Sequence, residues 1–358
     1  MTTVLVSMLQ TLWGFSLDLI PLVFRLLGLG LLLLLIAAAL APFESLGWWA
    51  GWFGQPAEQE SKLTPAEEIS GKPDRQTLAE AEHYLVYLSG VGAISGDFLE
   101  PCEVELCNRL AARFPSTAVV KDVFPYAMNN RGLTGQRLFA WMWRRIKQLK
   151  LEGKHLLANL INVRNFFQVL VSADRRYGPI YNFGTAEVIR DGLLRQGYRV
   201  GSGKPITIIG YSGGGQVALG AAQYLQEMLL GTHGVPERVS IPSQLPFLSL
   251  KIISLGGMMT ADPGLDNIEH LYHLYGTKDP VQKLAALFYP GRWPIIPHSP
   301  WNRAKAQGKI TRIEVGPIGH YGSKGYLSVT SHLGNGQRFL DRSVDSIAQV
   351  LAQYTNGS

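Results

Sequence analysis

The chain has 358 residues, with 33 Lys and Arg against 27 Asp and Glu for a net charge of +6. Hydrophobic residues make up 46% and charged residues 17%, a balance that excludes intrinsic disorder, a collagen-like fibre and a coiled coil. Two cysteines, Cys102 and Cys107, exclude a disulfide scaffold and a four-thiolate zinc site, and a small positive surplus without zinc-finger or RNA-recognition patterns argues against nucleic acid.

Apolarity is concentrated at the front. Residues 1–54 carry only Asp18, Arg25 and Glu44 as charges, and Leu26 to Phe43 carries none. That uncharged stretch is at the lower length limit for crossing about 30 Å of hydrocarbon. Trp48, Trp49 and Trp52 follow, where aromatic rings favour the headgroup boundary. A cleaved signal peptide would open with a short basic stretch, whereas a long, mostly apolar run precedes Arg25, and the small-residue site Ala39-Leu40-Ala41 runs into Pro42. Residues 1–54 therefore read as a retained membrane anchor. Asp18 and Pro21 weaken Thr2 to Phe24 as a second span, leaving half of a hairpin or an interfacial helix as options. A buried core helix is the plain alternative for the whole region, and the sidedness of the anchor is not fixed by its charges.

Gln55 to Asp74 is polar, with Pro56, Pro65 and Pro73, and reads as a linker that extends to residue 77, with Thr64-Pro65 able to open a short helix. From Leu78 onward short apolar runs alternate with helical stretches, the signature of βαβ units around a parallel sheet. Residues 78–358 form this α/β domain. Predicted strands are Tyr84–Leu88, Ala118–Val123, Ile206–Ile209, Leu250–Leu255, Ile268–Tyr275 and Ile310–Val315. Predicted helices are Glu103–Phe114, Tyr181–Gln196, Gln216–Leu230 and Asp341–Tyr354.

An insertion at about 131–180 separates the second strand from the helix at Tyr181, and it reads as helical throughout. Leu138, Trp141, Met142, Ile146 and Leu149 share one face at helical spacing, as do Leu156, Leu160, Val163, Phe167 and Leu170. Arg144, Arg145, Lys147 and Lys150 run between them. The plain reading is a cap with a solvated basic face; the sharper one is a lid that also touches anionic lipid.

The strongest local pattern is Gly210-Tyr211-Ser212-Gly213-Gly214, between a β-branched strand and an Ala-rich helix. A strand that turns abruptly into a helix strains the serine, and glycines to either side let neighbouring backbone approach. The serine oxygen then stands at the carboxyl end of the sheet, over the positive end of a helix dipole. A Gly-rich turn for tight strand–helix packing is the plain alternative.

With that pattern the chain resembles the α/β-hydrolase superfamily over about Leu78 to Tyr354. The resemblance implies an α/β-hydrolase fold, a mostly parallel sheet flanked by helices with a helical cap, and a nucleophile–acid–histidine order. Ser212 matches the nucleophile. Asp279, in Gly276-Thr277-Lys278-Asp279-Pro280, falls after a strand where the family puts its acid. His320, in Gly319-His320-Tyr321-Gly322, falls after the last strand where the family puts its base. The family's oxyanion hole maps onto the Gly213 amide and onto an amide after the first strand, Val91 first and Gly90 second. Many members have His-Gly there; this chain has Ser89-Gly90.

Each role has a rival. Asp262, in Ala261-Asp262-Pro263, follows the preceding strand, where some members place the acid. His298 sits in a proline-rich stretch between Trp293 and Trp301 and reads as a loop residue over the pocket. His270 and His273 flank a predicted strand and read as structural, while His83, His155, His233 and His332 lack a partner pattern. Cys102 and Cys107 straddle a predicted helix start and read as small buried residues. No metal or cofactor is expected.

The expected activity is that of a membrane-anchored serine hydrolase cleaving carboxylic esters through an acyl-enzyme on Ser212. A lipase-like or thioesterase-like action on a lipid or acyl-ester substrate fits the apolar insertion. Two other readings stay open: a noncatalytic membrane-bound binding or scaffold domain on the same frame, and an acyltransferase.

Overall fold

The computed structural model describes residues 81–135, 140–152, 155–231 and 248–355, together with 21–26, 28–30, 32, 41, 43, 46, 47 and 50 of the N-terminal region. The expected linker at 55–77 and most of the expected anchor lie outside the described residues. Among the described residues no helix is long and apolar enough to cross a membrane. Residues 21–26 and 28–30 are helical and turn Leu22, Phe24, Leu26 and Leu29 outward, with Phe24 70% exposed.

The fold is α/β. Six strands, β1 (His83–Leu88), β2 (Thr117–Val120), β3 (Ile206–Tyr211), β4 (Leu250–Leu255), β5 (His270–Gly276) and β6 (Ile310–Gly316), form one parallel sheet in the order β2-β1-β3-β4-β5-β6. The central strands are apolar on both faces because both are covered by helices. Val86, Ile208 and Ile252 face one side, with Ala186, Ile189, Val217 and Leu225. Leu85, Ile209 and Ile253 face the other, with Leu106, Leu110, Ile347 and Leu351.

The helices are α1 (Pro101–Arg113), α2 (Ala140–Leu151), α3 (His155–Ala173), α4 (Gly178–Arg195), α5 (Gly214–Leu230), α6 (Pro280–Phe288), α7 (Pro300–Ala306) and α8 (Phe339–Thr355). Because β2 lies on one side of β1 and β3 on the other, the strand order reverses between β1 and β3. In open α/β sheets the crevice outside the carboxyl ends at such a reversal is where ligands bind. The loop after β1 and the turn after β3 both open onto it.

Several elements depart from the sequence expectation. β2 stops at Val120 rather than Val123, because Asn130 takes over the local hydrogen bonding. Its side chain accepts from the Phe124 amide at 2.7 Å and donates to the Asp122 carbonyl at 3.0 Å. α1 starts at Pro101, not Glu103. Proline is preorganised for the first helical position, and Glu103 caps back onto the Glu100 amide at 3.0 Å. Both cysteines therefore lie inside α1 instead of straddling its start, and burial pushes the Cys102 and Cys107 thiols up to about 11 and about 12.

Helices α6 and α7 fall where no helix was predicted. Each opens on a polar cap followed by proline, Asp279-Pro280 and Ser299-Pro300. The insertion is helical but is not one uniform apolar cap. Trp141 points to solvent at 70% exposure while Trp143 and Ile146 pack inward. In α3 Leu160 is exposed, and the buried face is Ile161, Arg164, Asn165, Gln168, Val169 and Ser172. Arg164 and Asn165 on that face donate to the Tyr126, Val91 and Ala93 carbonyls, the donors that a helix face against loop backbone needs.

Candidate active site

The Gly210–Gly214 turn forms a sharp elbow between β3 and α5, with Ser212 at φ +52°, a left-handed conformation unusual for a non-glycine residue. Two glycines make this possible. A Cβ on Gly210 would stand 2.6 Å from the backbone of Gly214 and Gly215, and one on Gly214 would stand 2.6 Å from the Leu88 carbonyl. The elbow therefore locks the start of α5 against the end of β1.

Ser212 Oγ lies 2.8 Å from His320 Nε2, and His320 Nδ1 lies 2.9 Å from Asp279 Oδ2. The three residues come from the turns after β3, β5 and β6 and meet at one end of the sheet. All three are buried, Asp279 completely. Burial pushes the Asp279 carboxyl up, but the His320 hydrogen bond and charge, the Tyr326 hydroxyl and the Val281 amide outweigh it and hold Asp279 below the usual carboxylate range. An ionised carboxylate only accepts, so Nδ1 carries the proton and Nε2 is free to accept from Ser212.

Each partner is itself held. Asp279 caps α6, its Oδ1 accepting from the Val281 amide at 2.8 Å. Tyr326 donates to Asp279 Oδ2 at 2.6 Å, and Tyr211 donates to the His320 carbonyl at 2.9 Å. Gly276 lets the two acid- and base-bearing loops touch, since a Cβ there would stand 2.0 Å from the Ile318 carbonyl.

The Gly213 and Val91 amides make no hydrogen bond to another described residue. The loop after β1 packs directly on the elbow: a Cβ on Gly213 would stand 2.8 Å from Val91 Cγ1, and one on Gly90 would stand 3.4 Å from Ser212 Cβ. The loop that carries the Val91 amide therefore lies against the turn that carries Ser212, with Gly213 at the start of α5.

The rivals are placed elsewhere. Asp262 Oδ2 accepts from Gln216 Nε2 at 2.9 Å and Oδ1 from the Gly264 amide at 2.8 Å, so its carboxylate is spent on α5 and its own turn. His298 is exposed, and its carbonyl accepts from Arg303. His83 contacts Thr117 and Thr207 across the sheet, His270 contacts Thr311, and His273 is fully buried against Ser254. Among the described residues no group of His, Cys, Asp and Glu side chains is placed to hold a metal ion.

Sequence reasoning missed Tyr326, Tyr211 and Asn165. Tyr326 follows the histidine turn and Tyr211 precedes the serine, but neither carries a spacing signal. Comparison with protein-family models, with curated proteins and with solved structures yields no match.

Proposed function

We propose that the protein is a serine hydrolase on an α/β-hydrolase fold, held at a membrane through residues 1–54, that cleaves carboxylic esters. The observation that carries this reading is the unbroken relay from Ser212 Oγ through His320 to Asp279 Oδ2, with spacings of 2.8 and 2.9 Å.

Ser212 Oγ attacks the ester carbonyl carbon while His320 Nε2 takes its proton. Asp279 holds the imidazole in the required tautomer and balances the imidazolium. The tetrahedral oxyanion is received by the Gly213 and Val91 amides. His320 then delivers the proton to the leaving alcohol, the C–O bond breaks, and an acyl-enzyme remains on Ser212. Water, deprotonated by the same histidine, attacks the acyl carbon and releases the acid.

An acyl chain or lipid ester as substrate is supported by exposed apolar side chains on and after the helix that opens at Asp279. The helix that Asp279 caps exposes Leu287 at 61% and Phe288 at 68%, and Ile295 follows at 78%. Every charged side chain from residue 280 to 313 is basic, which suits an anionic lipid surface. The outward Phe24, Leu26 and Leu29 support attachment through the N-terminal region.

The test is labelling of the detergent-solubilised full chain with a fluorophosphonate, alongside hydrolysis of p-nitrophenyl esters of increasing chain length. Wild type should label and turn over, and S212A and H320A should do neither. Folded wild type that neither labels nor hydrolyses any ester would leave the noncatalytic scaffold as the reading.

A further inference from the structure

Five consecutive carbonyls in the loop after β1 are tied down. The Ser89 carbonyl accepts from the Tyr126 hydroxyl at 2.9 Å, and the Gly90 carbonyl accepts from the Ala93 amide at 3.0 Å. The Val91 and Ala93 carbonyls both accept from Asn165 Nδ2 at 2.8 Å, and the Gly92 carbonyl accepts from Lys150 Nζ at 2.8 Å. Lys150 belongs to α2 and Asn165 to α3, so the helical insertion grips this loop from above.

The consequence for the Val91 amide follows from peptide geometry. In a planar trans peptide the C=O and N–H point in opposite directions. The Gly90 carbonyl is turned inward to the Ala93 amide, so the Val91 N–H of the same peptide must point out of the turn. From the outside, the Asn165 bridge across Val91 and Ala93 and the Lys150 contact with the Gly92 carbonyl hold that turn closed. The orientation of Asn165 is itself forced. Its Oδ1 accepts from Arg164 Nη1 at 2.9 Å, and a guanidinium can only donate, so the amide nitrogen faces the loop. Asn165 is completely buried, so no water competes for its two donors.

The geometry points to Asn165 as the positioning residue of the oxyanion hole, with Lys150 as its partner: the helical insertion sets the Val91 amide for the transition state instead of serving only as a lid. This rests on the serine-hydrolase reading. Asn165 touches no reacting atom and acts only through the backbone it holds. Preorganised donors accelerate the chemical step because they need not reorient as the oxyanion forms.

N165D keeps the size of the side chain and its Arg164 contact but sets a carboxylate oxygen against two carbonyls. K150M removes the second grip at a side chain that is already 20% exposed. With p-nitrophenyl acetate, kcat should fall about 100-fold in N165D and about 10-fold in K150M. KM should stay within about twofold, because the contribution is made in the transition state. The midpoint of the acid limb of kcat should be unchanged, since the Ser212–His320–Asp279 relay is untouched. If N165D does not fold, K150M decides by the same signature. Wild-type kcat in the folded variants, or a raised KM with kcat intact, overturns the positioning role while leaving the hydrolase reading in place. A wild type inert to both ester and fluorophosphonate overturns both together.

Discussion

Tyr326 and His320 share one oxygen of Asp279: Oδ2 accepts the tyrosine hydroxyl at 2.6 Å and faces the imidazole Nδ1 at 2.9 Å. The same hydroxyl accepts from the Gly276 amide at 2.8 Å, which ties the carboxylate to the end of β5. Y326F should therefore act on both chemistry and stability. The Gly276 amide loses its partner, a cost of about 1–3 kcal/mol. Asp279 loses one of the contacts that hold its pKa down. A depressed carboxylate stabilises the fold above its unfolded-state pKa and loses that contribution as pH falls through its folded pKa. With the folded pKa raised, the loss begins at higher pH. Acid inactivation of Y326F at a higher pH than wild type, followed by activity and circular dichroism, is the expected result; coincident profiles would remove the tyrosine from the relay.

The two candidate acids separate cleanly by substitution. D279N leaves the cap of α6 intact, because asparagine caps as well as aspartate, but it cannot fix the imidazole tautomer. Ester turnover should drop about 10⁴-fold. D262N disturbs only the Gln216 and Gly264 contacts and should keep kcat within about threefold of wild type, with a melting point lowered by a few degrees. Full activity in D279N would move the acid role elsewhere.

Strain at the elbow can be read from two inactive variants. S212A and S212G both lack the nucleophile and its bond to His320, so they differ chiefly in the Cβ at φ +52°. The left-handed conformation costs a residue with a Cβ about 1–2 kcal/mol that glycine is spared. S212G should melt a few degrees above S212A. Equal melting points would mean that the elbow holds Ser212 without strain.

Two histidines add to the acid sensitivity of the domain. Burial, then the charge of Lys251, lowers His83 to about 4; burial, then the charges of Arg292 and Arg312, lowers His273 to about 3. Both lie below the unfolded value of about 6.5. Between pH 6.5 and 4 the unfolded chain therefore binds more protons than the folded one, and stability falls as pH falls. Thermal melts across that window should show a falling midpoint, with a shallower slope in H83Q. An unchanged slope in H83Q would show that His83 is not held neutral in the fold.

Much of the fold was written in local pattern. β-branched runs gave the strands of the parallel sheet, and Gly-x-Ser-x-Gly between a strand and a helix marked the elbow, because a turn that tight leaves little choice of residue. Asp279 and His320 were legible through the resemblance, as residues following the expected strands. The short helices α6 and α7 also open on Asp-Pro and Ser-Pro in the sequence, but α7 begins within the proline-rich stretch that reads as a loop.

What the sequence alone determined is therefore the α/β class and the elbow that carries Ser212, since these depend on periodicity and on backbone constraints a few residues long. Only the tertiary structure decided which aspartate faces the histidine, which face of α3 is buried, and that Asn165 and Lys150 hold the loop beside Ser212. Those choices depend on hydrogen-bond partners dozens of residues apart along the chain, where a buried donor is placed by the carbonyl it must satisfy and not by its neighbours in sequence.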